Sequence, residues 1–482
     1  MAGVQQHIVK KFSLELETAD NGEQYKLQRH CSNMVKEKMA PAMDEIFTTY
    51  FPGHAITRIN KIEIDLGNID ADKLEEVFIQ ECVKQLKQKI KNFAITAQKS
   101  EATLIQSIPK SQNLLEQFFY FLETGILLFP ATGRKSKEWE QSIIASVKEQ
   151  KDFFAVHFQQ LIQQHRIAAE RLAAQFDIDF INALLNAADA VYENGFRDIY
   201  EKLQLKIQAL QTGTNKKLLV TAVIQMLCDV QIKEWKQFLS SLAEHIDIPV
   251  TAGDEYPVTI EQWKNYLSAS NKIFPLPQQP GGAKKEYTKT MQVNEEKRMP
   301  VNEQTPATEV KSNGVFIDNA GLVILHPFLE TLFETLGFAQ NKSFINDACS
   351  YRAVHLLQYM ATNEEATPEY IMPLNKLLCG IPAEEHTDRF IQLNENEKEE
   401  AQRLLQSVIG HWSILKQTSV EGLRQAFLQR RGKLSFNKTD AYWKLQVEKS
   451  AIDILLGKLP WGYSYIQLPW MQHRLITEWQ NY

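Results

Sequence analysis

Residues 313–338 carry the densest apolar stretch of the chain and follow its least apolar one. Within it Leu322, Leu325, Leu329, Leu332, Phe333 and Leu336 recur at three- and four-residue steps, the period of one helix face. Asn319 is placed to cap such a helix and Gly337 to end it. Pro327 complicates the pattern, because a proline inside a helix removes one hydrogen bond and crowds the preceding turn. Two conformations satisfy it. A single helix can kink at Pro327, or a helix can begin there with Pro327 at its first position. In the second case Val315–Ile317 and Leu322–Leu325 become short strands about an Asp-Asn-Ala-Gly turn. The uninterrupted apolar period leads us to expect the kinked helix.

The remainder must fold around more than one core. At 482 residues the chain is long enough for roughly two to four domains. Fifty-three basic against 59 acidic residues give a net charge of −6, which argues against a dedicated nucleic-acid binder. The five cysteines, Cys31, Cys82, Cys228, Cys349 and Cys379, are scattered and include no C-x-x-C pair. A reducing compartment, with no disulfide framework, is expected. The N-terminus has no apolar run followed by a cleavage site, so no signal peptide is expected. The apolar run Leu218–Cys228 is about half of a membrane span, so no membrane insertion is expected.

Taken in order, residues 1–98 read as a small β-α-β-α module. Ile8, Phe12, Leu14 and Leu16 alternate as in a half-buried strand, a helix follows over about 24–48, and Ile62, Ile64 and Leu66 alternate again. Ile59 has the wrong parity, which places a bulge or a strand start near Asn60. A helix carrying Leu74, Val77, Phe78, Cys82 and Leu86 closes the module. Residues 99–250 read as helical, with Phe118, Phe119 and Phe121 marking a core and Pro109, Pro130 and Pro249 breaking any continuous rod. Within residues 251–312, Pro275, Pro277, Pro280, Pro300 and Pro306 punctuate a mixed-charge stretch with almost no apolar residues after Phe274, the composition of a flexible linker.

Residues 313–482 form a helix-rich α+β module. Cys349, Ala353, Leu356, Leu357 and Met360 share one helix face, and Pro373–Cys379 makes a short helix. Asn394 with Glu397, and Thr418 with Glu421, have capping-box spacing. Gly432 ends the helix that follows, with Arg430 and Arg431 suited to its negative end. The period then changes to two at Trp443, Leu445 and Val447, with further strands expected at Tyr463–Leu468 and Leu475–Trp479 around a helix at Ser450–Leu459. The fold class is mainly α, multi-domain, with small α+β modules at both termini and a flexible linker.

Several short motifs in this order resemble one family. They are Asn319-Ala-Gly-Leu-Val-Ile-Leu-His-Pro-Phe-Leu329 and Arg352-Ala-Val-His-Leu-Leu-Gln-Tyr359, then Phe427-Leu-Gln-Arg430, Leu459-Pro-Trp461 and Leu468-Pro-Trp-Met471. Ile62-Glu-Ile-Asp-Leu-Gly67 belongs with them. Together they resemble the tape measure proteins of contractile injection systems, phage-tail-like secretion particles. The resemblance covers about the first hundred residues and all of 313–482. It marks Asn319, Gly321, His326, Pro327, Phe328, Leu329, Phe333, Arg352, Phe427, Arg430, Pro460, Trp461, Pro469 and Trp470 as candidate interaction or structural residues.

The residues themselves offer no active site. Glu63 and Asp65 point the same way on a strand, as a catalytic carboxylate pair would, but a solvated sheet face explains them. Cys349 and His355 are six positions apart and so lie on different faces of a helix, too poorly placed for a thiolate and its base. The histidines have no metal-ligand spacing, and Lys284-Lys285 after Gly281-Gly282 lacks the spacing of a phosphate loop. His326 before Pro327 reads as a cap or a packed residue, and Arg424, Arg430 and Arg431 as a solvated helix end. No cofactor is implied and no enzymatic role is expected. What the resemblance implies is a protein that sets inner-tube length and aids tube assembly, with spike, baseplate hub and inner-tube proteins as partners. It would be cytoplasmic during assembly and then inside the particle lumen. The roughly 215 residues between the terminal modules would span ~320 Å as helix or ~700 Å if extended. An assembly chaperone or baseplate adaptor of the same particle is the alternative, and an unrecognised hydrolase a weaker one.

Overall fold

The computed structural model describes residues 7, 9, 12–17, 24–51, 55–69, 73–96, 105–127, 136–188, 220, 221, 224, 314–415 and 417–479. They fall into two compact units, Met1–Leu114 and Leu115–Tyr482. The expected linker lies outside the described residues, as does most of 189–250.

In the first unit α1 (Gln24–Met34) runs through a π turn at Val35–Met39 into α2 (Ala40–Tyr50). Pro41 sits in the first turn of α2 and cannot donate to the turn before it, and a widened turn accommodates this. The helix α3 (Leu74–Thr96) packs back on α1 and α2 through Phe78, Cys82, Leu86 and Ile90, which meet Cys31, Met34, Met39 and Ile46. A two-stranded antiparallel sheet pairs β1 (Ala55–Ile59) with β2 (Ile105–Pro109). Among the described residues the first ladder strand is 55–59, and the alternating residues 12–17 and 61–66 join no ladder; Ile8, the start of the expected first strand, lies outside the described residues. Alternation reports which side chains face a core; it does not supply a partner backbone.

The second unit opens with α4 (Lys110–Thr124), which crosses the boundary between units, and continues with α5 (Ser136–Glu149), α6 (Lys151–Gln164), α7 (Arg166–Gln175) and α8 (Ile178–Ala188). Phe118 and Phe121 are the hub of an aromatic cluster with Trp139, Phe176 and Phe180, as their density in the sequence implied.

Neither expected conformation of 313–338 is present in full. The strand β3 (Val315–Ile317) is followed by a 3-10 helix, Ala320–Leu325, and then by α9 (His326–Thr335) with Pro327 in its first turn. The kinked helix is thus replaced by a joint. Pro327 needs no hydrogen bond where it stands, and Leu322–Leu325 is neither α-helix nor strand. Gly337 adopts a left-handed conformation (φ 68°) just past the end of α9, as expected of a C-terminal stop.

Beyond it come the short hairpin β4 (Ala339–Gln340) and β5 (Ser343–Phe344), then α10 (Asp347–Thr362), α11 (Pro373–Leu378) and α12 (Glu395–His411). The turn α13 (Val420–Leu423) widens into a π turn at Arg424–Leu428. Asn394 and Glu397 form the expected capping box on α12. Thr418 does not cap α13; Ser419 does, accepting from the Gly422 N–H. Its neighbour has the same chemistry, and spacing alone did not separate them.

The main sheet has the order β3-β6-β7-β9-β8, where β6 is Gly432–Asn437, β7 Tyr442–Val447, β8 Tyr465–Ile466 and β9 Leu475–Glu478. All neighbours are antiparallel except β7 and β9. Between β7 and β8 lies a 3-10 helix, Ala451–Lys458, where an α-helix was expected. The register puts Val315, Leu434, Leu445 and Thr477 in one buried row across the sheet. Above that face stand Leu322–Leu325, Phe333, Leu356, Leu357, Trp412 and Phe427 in one core. Each fully buried leucine or phenylalanine there contributes about 1.5–3 kcal/mol.

Candidate functional site

Most of the candidate residues meet at or beside the joint between the 3-10 helix and α9. Gly321 is fixed by contact. A Cβ built on it would stand 1.6 Å from the Phe427 carbonyl oxygen, so no other residue fits without moving the π turn. Phe427 in turn packs its ring 4.6 Å from that of Trp412. Leu329 and Phe333 are fully buried under the joint.

Asn319 stands at the first position before the 3-10 helix, yet its side chain caps nothing. Its Nδ2 donates instead to Gln358 Oε1 at 2.8 Å and to Asn375 Oδ1 at 2.7 Å. Asn375 Nδ2 donates to the Val354 carbonyl, so three buried amides tie the joint to α10 and α11. His326 donates from Nδ1 to the Val323 carbonyl at 2.9 Å, and burial lowers its pKa. It closes the turn, as one of its expected roles required.

The two Leu-Pro-Trp motifs repeat one device. Pro460 and Pro469 are exposed, and each turns the following tryptophan inward. Trp461 Nε1 donates to the Ile324 carbonyl at 3.0 Å, and Trp470 Nε1 to the Leu378 carbonyl at 2.8 Å. Both acceptors lie at helix ends, where carbonyls lack an intrahelical donor. Phe328 meets Trp461 edge-on at 5.1 Å, and Trp470 lies 5.7 Å from Phe333. The indoles therefore staple the end of the chain to both sides of the joint.

The arginines are not a solvated helix end. Arg430 is buried and forms a fork with Asp453, at 2.5 Å to Oδ1 and 3.1 Å to Oδ2, while its Nη2 also reaches the Glu448 carbonyl at 2.7 Å. Burial raises the Asp453 pKa, but Arg430 and the Ser450 N–H more than offset it and leave it lowered. Arg424 is buried as well and donates to the Met360 carbonyl; Arg431 alone of the three is exposed, 3.6 Å from Asp318. Arg352 donates from Nε and Nη2 to the two carboxylate oxygens of Glu397, and Glu397 also completes the capping box of α12.

One buried system escaped the sequence reading altogether. Glu369 lies between Arg171 of α7 and Lys376 of α11, all three with almost no exposure. Arg171 further donates to the carbonyls of Leu122 and Glu384, and Lys376 to those of Ala383 and Glu385. Burial pushes the Lys376 ammonium down, against the pull of Glu369. Gly125, at φ 76°, leaves the space that the Glu369 carboxylate fills. Gln175 adds bonds to the Glu369 N–H and the Thr387 carbonyl, and Arg389 adds one to Glu140. This seam binds α4, α5 and α7 to the segment 369–389, which includes α11. Charges inside an apolar run, as in Ile-Ala-Ala-Glu-Arg-Leu-Ala-Ala, were its signal.

Among the described residues no group of three or more His, Cys, Asp or Glu could hold a metal ion. No helix among them is long and apolar enough to cross a membrane. Cys349 packs half-buried against the core, whereas His355 donates from Nε2 to the Asp388 carbonyl at 2.8 Å, so the two do not form a nucleophile and base. Most of the candidate residues thus pack or hydrogen-bond within the C-terminal module.

No curated protein and no solved structure matches the chain. A family model described as "Contractile injection system tape measure protein" does match, from residue 6 to residue 479. That span takes in every motif gathered at the joint, and the chain belongs to the contractile injection system tape measure protein family.

Proposed function

We propose that the chain sets inner-tube length by lying in the lumen of a phage-tail-like particle, with its ordered ends as docking modules and residues 99–250 as the gauge. Spike, baseplate hub and inner-tube proteins are its partners, met in the cytoplasm during assembly. The role is structural rather than catalytic. The match over nearly the whole chain carries this reading. Packing qualifies the gauge: the described helices from residue 115 to 188 form a layer held to 369–389, so this part contributes compact rather than extended length.

The same compactness favours a second reading, an assembly chaperone or baseplate adaptor of the same particle. One experiment separates the two. Adding about 40 residues to the gauge lengthens the tube by ~60 Å if the insert is helical and by roughly twice that if it is extended. Particles of unaltered length that contain the enlarged protein would rule out the ruler. Particles that lack the protein would favour the chaperone.

A further inference from the structure

The first unit carries a charge pattern that its own core does not use. The helix α3 places Glu75, Glu76 and Glu81 in its first half and Lys84, Lys87, Lys89 and Lys91 in its second. Part of this is settled inside the unit. Glu75 pairs with Lys38, Glu81 accepts from Lys84 at 3.1 Å, and Lys89 donates to the Glu63 carbonyl at 2.5 Å. The helix dipole does not account for the lysines, because it acts on the last turn, and the last turn of α3 holds no basic residue.

Lys84, Lys87, Gln88 and Lys91 follow at three- and four-residue steps, a row about 10 Å long on one face of the helix. This row lines a groove of about 740 Å³, which Tyr50, the last residue of α2, also lines. Gln80 and Asn92 add amides at its ends. Every polar side chain of the lining can therefore donate a hydrogen bond, and none is a carboxylate. Tyr50 and Val83 supply an apolar floor, since both also pack on the core around Phe78 and Cys82.

We propose that this groove docks an acidic segment of a partner protein in the particle. Its carboxylates meet Lys84, Lys87 and Lys91, and its backbone carbonyls meet the amides. Charge complementarity selects the occupant, because a basic segment is repelled and an apolar one leaves the ammoniums unpaired. The row is also short. Beyond Lys84 the same helix turns acidic at Glu81 and Glu76, which suits a segment with a few carboxylates and disfavours a long nucleic acid. The exposed Lys84–Glu81 pair is weakly held in water and gives way to a partner carboxylate.

The proposal rests on the chain residing in an assembled particle, and lysine acetylation of the full chain, free and inside purified particles, tests it. Lys84, Lys87 and Lys91 should react about tenfold slower in the particle, the protection of a site occupied about nine-tenths of the time. The exposed Lys36 and Lys73 should slow far less. Equal protection of all five would overturn the proposal, because enclosure alone then explains it, and so would unchanged reactivity in the groove. A carbodiimide should join Lys87 or Lys91 to an aspartate or glutamate of another particle protein; links confined to this chain would overturn it. In the free chain an oligoglutamate peptide should protect the groove better than an oligothymidylate, and the reverse order would overturn the acidic protein segment. Lys84→Glu, Lys87→Glu and Lys91→Glu, made together, should lower incorporation about tenfold with unchanged circular dichroism. Full incorporation of that folded variant would overturn the docking role. Unaltered tube length after insertion into the gauge removes the ruler but not the groove, whereas particles that lack the native chain remove both.

Discussion

The second unit is held together in two ways that differ in kind. Around the joint at residues 315–338 the contacts are apolar and close, with Gly321 against the Phe427 carbonyl and Leu329 and Phe333 fully buried. Along the seam between α4, α5 and α7 and the segment 369–389 they are ionic, with Glu369 between Arg171 and Lys376. An apolar joint gains from every methylene it removes from water. A buried ion pair roughly breaks even against its desolvation and confers specificity, but it fails steeply when one partner is lost. Trimming methylenes at the joint should therefore cost in proportion to what is removed, whereas losing one partner of the seam should cost steeply.

The largest effects are expected at the joint. Leu329→Asp places an unpaired carboxylate in the core, and Gly321→Ala forces the π turn away from the 3-10 helix. Each should cost about 4 kcal/mol or more and leave the C-terminal module unfolded by circular dichroism. A folded, soluble Leu329→Asp protein would mean that this stripe is a docking surface instead.

At the seam Glu369→Met should cost about 3–5 kcal/mol in urea unfolding, since it strands two buried cations. The double variant Glu369→Met, Lys376→Met should cost less than the single one. Equal or additive losses would make the seam an ordinary core.

His355 tests the same region by pH. Burial lowers its pKa to about 4, well under the ordinary value near 6.5. The unfolded chain therefore takes up the proton first as pH falls. The neutral ring contributes its full stability above about pH 6.5 and loses it progressively toward pH 4, a total of about 3 kcal/mol. Urea midpoints measured across that window should fall with pH in the native chain, and the His355→Gln variant should lose most of that slope.

The smallest prediction concerns a cap. Ser419→Ala should cost about 1 kcal/mol and Thr418→Ala close to nothing, measured by thermal unfolding. The reverse order would restore the capping assignment made from spacing.

These contrasts also explain what the sequence could disclose. Periodicity located the faces of α10 and α12, the strand at Trp443–Val447 and the aromatic centre at Phe118 and Phe121, because burial leaves a repeating mark. It misread 320–325, where a 3-10 helix and an α-helix share apolar spacing over so short a run. It placed strands at 8–16 and 62–66, and the described residues of both join no ladder, since alternation records a face and not a paired backbone. The Leu-Pro-Trp motifs were visible as candidates, but not the carbonyls their indoles reach. The seam was least legible. Arg171 and Glu369 are 198 positions apart, and nothing local to either announces the other.

That separation has a consequence for synthesis. Arg171 waits for Glu369, β3 waits for Leu434, the 3-10 helix waits for Trp461, and β7 gains its parallel neighbour only once Leu475 is made. Contacts so distant along the chain form late and together. A polypeptide that stops before Leu475 lacks β9 and the closing rows of the sheet, and it leaves the joint without part of its cover. Such a product would keep residues 99–250 but carry an incomplete C-terminal module. The topology makes it a poorly folded chain, open to proteolysis, so that the fold itself screens out incomplete chains.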